Sequence, residues 1–185
     1  MNKSPLQKRL EAVFLGAIAF VIMLLIGLPI LPSASFLKYE PSGAILLFSG
    51  IFLGAAGGVI SCVIKAFLFF IVGAGNIFGV VSDLLANLAF ILPACLVIQK
   101  VSGMRGRLIG YIVGTIIGAL VMIPVNLVIL QLEFGMDVPT ILGMMLPAIL
   151  PFNLLKGVCN SVVYELLGRP LSRVLQKHPQ QVPES

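Results

Sequence analysis

The sequence predicts an all-α integral membrane protein: six transmembrane helices in one compact bundle, with both termini in the cytoplasm. Three observations carry this. Of 185 residues, 59% are hydrophobic and only 10% charged, whereas an average soluble domain carries roughly a quarter charged residues. The apolar residues form runs near the roughly 20 residues that one bilayer crossing needs. Basic residues gather at alternate ends of those runs, as orientation signals do. The formal net charge of +5 therefore belongs to membrane orientation, and nothing resembles a nucleic-acid-binding module. One membrane domain is expected, residues 11–168, between an N-terminal segment 1–10 and a polar tail 169–185.

The first span is expected from Glu11 to Leu31, behind Lys3, Lys8 and Arg9. Ser33-Ala34-Ser35 resembles a small-residue cleavage site. The apolar run, at about 20 residues, is longer than the roughly 7–15 of a signal-peptide core, so it reads as a retained helix. A polar loop from Pro32 to Ser42 follows. The apolar block Gly43 to Val72 then exceeds one crossing and falls short of two. Gly54-Ala55-Ala56-Gly57-Gly58 lies at its middle, where small residues permit a sharp turn, and two short helices joined there are expected over one tilted helix.

Gly73 to Gly79 reads as a turn, its glycines wrongly spaced for a dinucleotide fingerprint. The fourth helix is expected over Val80 to Ile98, and Gln99 to Arg107 as a basic loop. The fifth runs from Leu108 to Leu130, followed by an acidic loop with Glu133 and Asp137. The sixth starts between Leu142 and Pro151, with Pro151 suited to a first helical turn, and ends near Gly168. Six crossings put the N-terminus, the 99–107 loop and the C-terminus on one side. Those segments hold Lys3, Lys8, Arg9, Lys100, Arg105, Arg107, Arg169, Arg173 and Lys177, nine of the twelve basic residues. The opposite loops hold Glu40, Glu133 and Asp137 against Lys38 alone. The positive-inside rule assigns the basic side to the cytoplasm.

Lys65, Asp83 and Lys156 lie inside apolar blocks. A charge at a helix centre costs roughly 2.5–3.5 kcal/mol on insertion scales, so each must face protein interior or water. Asn87, Asn126, Asn153 and Asn160 add amides that need partners. Asn153 and Lys156, spaced i, i+3, share one helix face, and Asn160 follows on the same stripe. An amide beside an ammonium complements a planar imide or carboxylate edge, such as a uracil-like ring. Equally, Lys156 can pair with Asp83 while Asn153 stitches two helices together. Lys65 is a ligand contact or, by preference, a partner for Asp83. Glu165 and Arg169, at i and i+4, form an interfacial pair. Ala12 and Gly16 make a small-residue face that packs within the chain or docks a partner helix.

Enzyme chemistry finds no support. The one histidine, His178, is in the polar tail, and only one Asp lies in a span. Gly-x-Ser-x-Gly, Walker and HExxH patterns are absent from the sequence. Cys62, Cys95 and Cys159 stand singly in apolar segments and read as small filler.

Several of these stretches together resemble the substrate-binding S components of energy-coupling-factor (ECF) transporters, and within them the riboflavin-binding members. They are Leu37-Lys38-Tyr39-Glu40 in the first outer loop, the Gly-rich joint before Lys65, Ala89 to Ala94 (AFILPA), and Asn126 followed by Phe134-Gly135-Met136. Most specific is Pro151 to Gly157, PFNLLKG. The resemblance implies a multi-pass protein of a bacterial cell membrane that hydrolyses nothing itself and holds riboflavin as transported ligand rather than cofactor. It implies an outward-facing pocket, with Asn153 and Lys156 on the polar edge of the isoalloxazine ring and Asn126 helping to hold the ligand. Asp83, Leu37, Lys38, Tyr39 and Glu40 complete the implied site. The implied partners are a membrane-embedded T component and two ATPases, with Ala12 and Gly16 at the docking face. Three departures bear on the ligand more than on the family. Gly43 replaces an acid, Asp83 stands where Asn is common, and Ala66 follows Lys65. Another vitamin or precursor, and a structural subunit without a small-molecule site, are the alternatives.

Overall fold

The computed structural model of the chain describes residues 4–29 and 37–172. Lys3, the Ser33–Ser35 motif, Arg173, Lys177 and His178 lie outside the described residues. Six helices alternate in direction: α1 Pro5–Leu25, α2 Ser42–Leu53, α3 Ala55–Ile71, α4 Ile77–Lys100, α5 Gly103–Phe134 and α6 Val138–Ser172. A two-residue antiparallel ladder joins β1 Leu28–Pro29 to β2 Lys38–Tyr39 at the end of the bundle where α1 finishes. Helices α4, α5 and α6 are long and apolar enough to cross a membrane, and α2 and α3 are shorter apolar helices. The outer surface exposes large apolar side chains such as Phe14, Phe67, Ile112, Leu146 and Leu166. This is a surface suited to lipid rather than water.

Helices α4, α5 and α6 begin and end beyond the limits that hydropathy drew, and α1 is shifted toward its N-terminus. Helix α1 starts at Pro5 rather than Glu11 and stops at Leu25 rather than Leu31. Ser4 closes a capping box with Gln7, and Pro5 occupies the first turn, where its missing N–H costs nothing. The expected basic loop 99–107 shrinks to Val101 and Ser102, because Arg105 and Arg107 already belong to α5. Apolar run length marks the hydrocarbon layer, and helices continue past it into the polar interface.

The 43–72 block divides as its glycines predict. Gly54 sits at φ +95° between α2 and α3, a conformation L side chains rarely adopt. Small residues then let α2 and α3 touch backbone to backbone: a Cβ on Gly58 would lie 3.0 Å from Gly50 Cα. Helix α2 is enclosed almost all round, with Leu46 and Leu47 fully buried against Ile91 and Cys95 of α4. Ser49 and Ser61 share a 2.7 Å hydrogen bond, and Ser61 donates onward to the Ala12 carbonyl at 2.7 Å.

Ala12 and Gly16 thus turn inward onto α3. A Cβ at Gly16 would lie 2.7 Å from the Ser61 carbonyl, so their small size serves packing within the chain. A longer small-residue stripe, Gly110, Gly114 and Gly118 of α5, seats α5 against Phe90 and Ala94 of α4.

Helix α6 departs most from expectation. It begins at Val138, so Pro151 lies inside a continuous helix rather than at a start. The turn before it, Met145–Ile149, is π-helical, and Leu150 N–H bonds to Met145 O. Proline lacks an N–H and its ring collides with the carbonyl four residues back; a wider turn relieves both. A second π turn, Tyr164–Gly168, lies near the far end.

Candidate ligand-binding site

A cavity of about 580 Å³ opens at the bundle end that carries the β1–β2 ladder. Its walls follow from helical periodicity. On α4, Gly79, Ser82, Asp83 and Ala86 face it, spaced i, i+3, i+4, i+7. On α5 the stripe is Met122, Asn126, Ile129, Leu130 and Glu133. Helix α6 contributes Phe152, Asn153 and Lys156, and the loop contributes Leu37, Lys38 and Glu40. Met23 and Leu24 of α1 and Phe69 of α3 complete the apolar side.

Seven of the eight residues expected to touch ligand therefore line one hollow. Tyr39 does not. Strand alternation points it away from Lys38, into a buried cluster with Leu37, Ala148 and Phe152. Its hydroxyl donates to Asn160 Oδ1 at 3.3 Å. Lys65 is also absent from the wall, being fully buried behind it.

Four charges are gathered between the loop and three helices. Lys65 Nζ donates to Glu40 Oε1 at 2.6 Å and pairs with Asp83 Oδ2 at 2.9 Å. Lys156 Nζ stands farther off, 3.4 Å from Asp83 Oδ1 and 3.9 Å from Glu40 Oε1. Asn87 donates to Asp83 Oδ1 at 2.9 Å. Two cations and two anions cancel, which is what makes the group tolerable in a low-dielectric interior. Burial, with the like charge of Asp83, holds the Glu40 carboxyl above the ordinary glutamate range despite the two lysines pulling it down. Its second oxygen, Oε2, is buried without a hydrogen-bond partner among the described residues.

The pairing of Lys156 with Asp83 and its place on the cavity wall, weighed as alternatives from the sequence, coexist. Asn153 does not stitch helices: its Nδ2 donates to Ile149 O of its own helix at 2.8 Å. Asn126 does the same to Met122 O at 2.7 Å. Each amide is thereby pinned by one N–H, leaving its carbonyl and second N–H for the hollow. Fixed amides flanking an ammonium can bind a flat edge that alternates acceptors and donors. Beneath them a water-sized hollow of about 20 Å³ touches Asn87, Thr115, Asn153, Lys156 and Asn160.

The sequence reading missed the Glu40–Lys65 pair and the cavity stripe of α5 around Asn126. That stripe was available from i, i+3, i+4 spacing about Asn126. It also missed the rim contact, where Asn76 caps α4 through Gly79 N and donates to Glu133 Oε1 at 2.7 Å. At the opposite end, Glu165 binds Arg169 as expected, and Arg107 and Tyr111 join it at 2.7 and 2.8 Å.

Residues 11–168 match the family model described as "ECF transporter, substrate-specific component". The riboflavin transporter RibU of Staphylococcus aureus (strain TCH60) is 29% identical over 184 residues, covering 96% of each chain. The riboflavin transporter FmnP of Bacillus subtilis (strain 168) is 27% identical over 163 residues, 83% of this chain and 85% of that one. Among solved structures, one reported under "Structure and mechanism of the S component of a bacterial ECF transporter" superposes with a TM-score of 0.79 at 29% identity. It covers 91% of this chain and 98% of the other.

Proposed function

The chain belongs to the substrate-specific components of ECF transporters, and on that premise we propose that it binds riboflavin for uptake. Two similar proteins are named as riboflavin transporters. The observation that carries the reading is the cavity itself: apolar residues such as Met122, Ile129 and Phe152 beside the polar groups Asp83, Asn126, Asn153 and Lys156 in one hollow. A hollow of roughly 300–1,000 Å³ that joins apolar wall to placed polar groups is what a small-molecule site needs. A non-binding structural subunit would have packed these side chains into helix contacts.

In this reading the isoalloxazine ring lies between the α4 and α5 stripes and Phe152. Its imide edge meets Asn153 and Lys156, where the ammonium donates to a ring carbonyl and an amide oxygen accepts the imide N–H. Asn126 takes a second polar atom, and Asp83, Lys38 and Glu40 face the ribityl hydroxyls. Leu37 covers the mouth. The cavity opens to the outside of a bacterial cell membrane, with the segments 1–10 and 169–185 flanking the membrane unit 11–168 in the cytoplasm. A membrane-embedded T component and two ATPases supply energy, and this chain catalyses no reaction.

Gently purified protein is expected to be yellow, with the flavin fluorescence quenched. A colourless protein that gives no heat with added riboflavin removes the flavin assignment. A thermal-shift screen of other vitamins then identifies the ligand.

A further inference from the structure

The two lysines of the charge group play unequal parts. Lys65 is fully buried, does not itself line the cavity, and makes the two short contacts, 2.6 Å to Glu40 and 2.9 Å to Asp83. Asp83 Oδ1 already takes an N–H from Asn87 at 2.9 Å. Each carboxylate thus has a short donor other than Lys156, although Glu40 Oε2 remains without one among the described residues. Lys156 shares the same two acids, but at 3.4 and 3.9 Å, outside the roughly 2.7–2.9 Å of a fully formed charge-assisted bond. Its side chain keeps 13% exposure on the cavity side.

We propose that Lys65 is a positioning residue: by pairing closely with Glu40 and Asp83 from behind, it stops Lys156 from collapsing onto them and leaves that ammonium available to the cavity. Removing Lys65 leaves two buried carboxylates and Lys156 as the one cation still paired with them among the described residues. The flexible four-carbon stem of Lys156 lets it move about an ångström toward them. The ammonium would then be spent inside the protein. This role rests on the ligand-binding reading only for its consequence in affinity; the positioning itself can be tested without ligand.

The test compares detergent-purified wild type, Lys65→Met and Lys65→Met/Asp83→Asn. Acylation of Lys156 by an aqueous amine reagent, quantified by peptide mass spectrometry, needs no ligand. An ammonium drawn into short contacts with the two carboxylates is withdrawn from the cavity and from the reagent, so labelling is expected to fall about tenfold or more in Lys65→Met. It should return to within about threefold of wild type once the charge is rebalanced in the double variant. A second arm measures riboflavin affinity by fluorescence quenching. Lys156→Met is expected to cost at least about tenfold in the wild type and less than about threefold in the Lys65→Met background.

Unchanged labelling in Lys65→Met, failure of the double variant to restore it, or additive costs in the affinity cycle would each overturn the proposal. If Lys65→Met does not fold, the double variant decides alone: labelling more than about fivefold below wild type sinks the idea. A wild type that ignores riboflavin while labelling follows the expected pattern removes the flavin assignment and leaves the role of Lys65 standing.

Discussion

Replacing Lys156 by Met keeps the length of the side chain and removes its charge. In the ligand-free protein it leaves Glu40 and Asp83 with Lys65 as their only cation among the described residues, so a loss of stability is expected as well, which the melting curve measures separately from affinity. Lys156 lies at the loose edge of the charge group, while Lys65 holds both carboxylates at 2.6 and 2.9 Å. With ligand bound, the loss is of a hydrogen bond from a charged donor in a half-enclosed site, worth about 1.5–3 kcal/mol. At about 1.4 kcal/mol per factor of ten, riboflavin affinity should fall roughly 10- to 150-fold. Asn153→Leu provides the scale: it removes a neutral hydrogen bond of about 0.5–1.5 kcal/mol and should cost roughly 2- to 12-fold. Titration of purified protein against flavin fluorescence gives both constants, and a melting curve without flavin checks integrity. If Lys156→Met binds riboflavin within threefold of wild type, or if Asn153→Leu costs more than Lys156→Met, the ammonium is not a principal anchor and the assignment of the polar edge fails.

Gly16→Val places a Cβ where the Ser61 carbonyl would be 2.7 Å away. Overpacking of about 1–3 kcal/mol should lower the melting temperature by several degrees, and an unchanged melt would mean α1 and α3 are not in tight contact. Gly54→Ala meets nothing within 4 Å, so its cost, about 1–3 kcal/mol, is backbone strain alone. It should lower stability without any repacking visible in near-ultraviolet circular dichroism, and a neutral result would deny the positive φ at the α2–α3 joint. Glu165→Ala removes the partner of Arg107, Arg169 and the buried Tyr111 hydroxyl. A loss of about 1–3 kcal/mol in stability with little change in riboflavin affinity is expected; weakened flavin binding without destabilisation would contradict a purely structural part for this end.

The six helices were legible because lipid imposes a length on apolar runs, and the break at Gly54 because a 30-residue block cannot be one crossing or two. Helix ends were less so: Arg105 and Arg107 look like loop residues by hydropathy yet form the first turns of α5. Pro151 misled for a related reason, since a missing N–H suits both a helix start and the far side of a π turn. In the site, residues sharing a helix with a conspicuous polar group could be read by spacing, as Asn153 and Lys156 were. The Glu40–Lys65 contact could not, because nothing local to a loop acid says which helix it will settle against. Tyr39 was placed in the site with its neighbours, although strand alternation forbids adjacent residues 38 and 39 from facing the same way.

The π turn at Met145–Ile149 contains one more residue per turn than the helix on either side. Every later residue is therefore turned back by about 100° and set back by about 1.5 Å relative to an uninterrupted α-helix from Val138. Asn153 and Lys156 reach the hollow in that altered phase. Closing the π turn into ordinary α-helix without losing a residue would swing them off the wall, whereas a one-residue deletion from 145 to 149 would remove the turn and keep their facing. A single-residue gap within 145–149 in a relative is accordingly expected to mark loss of the π turn, with the PFNLLKG stretch facing the same way.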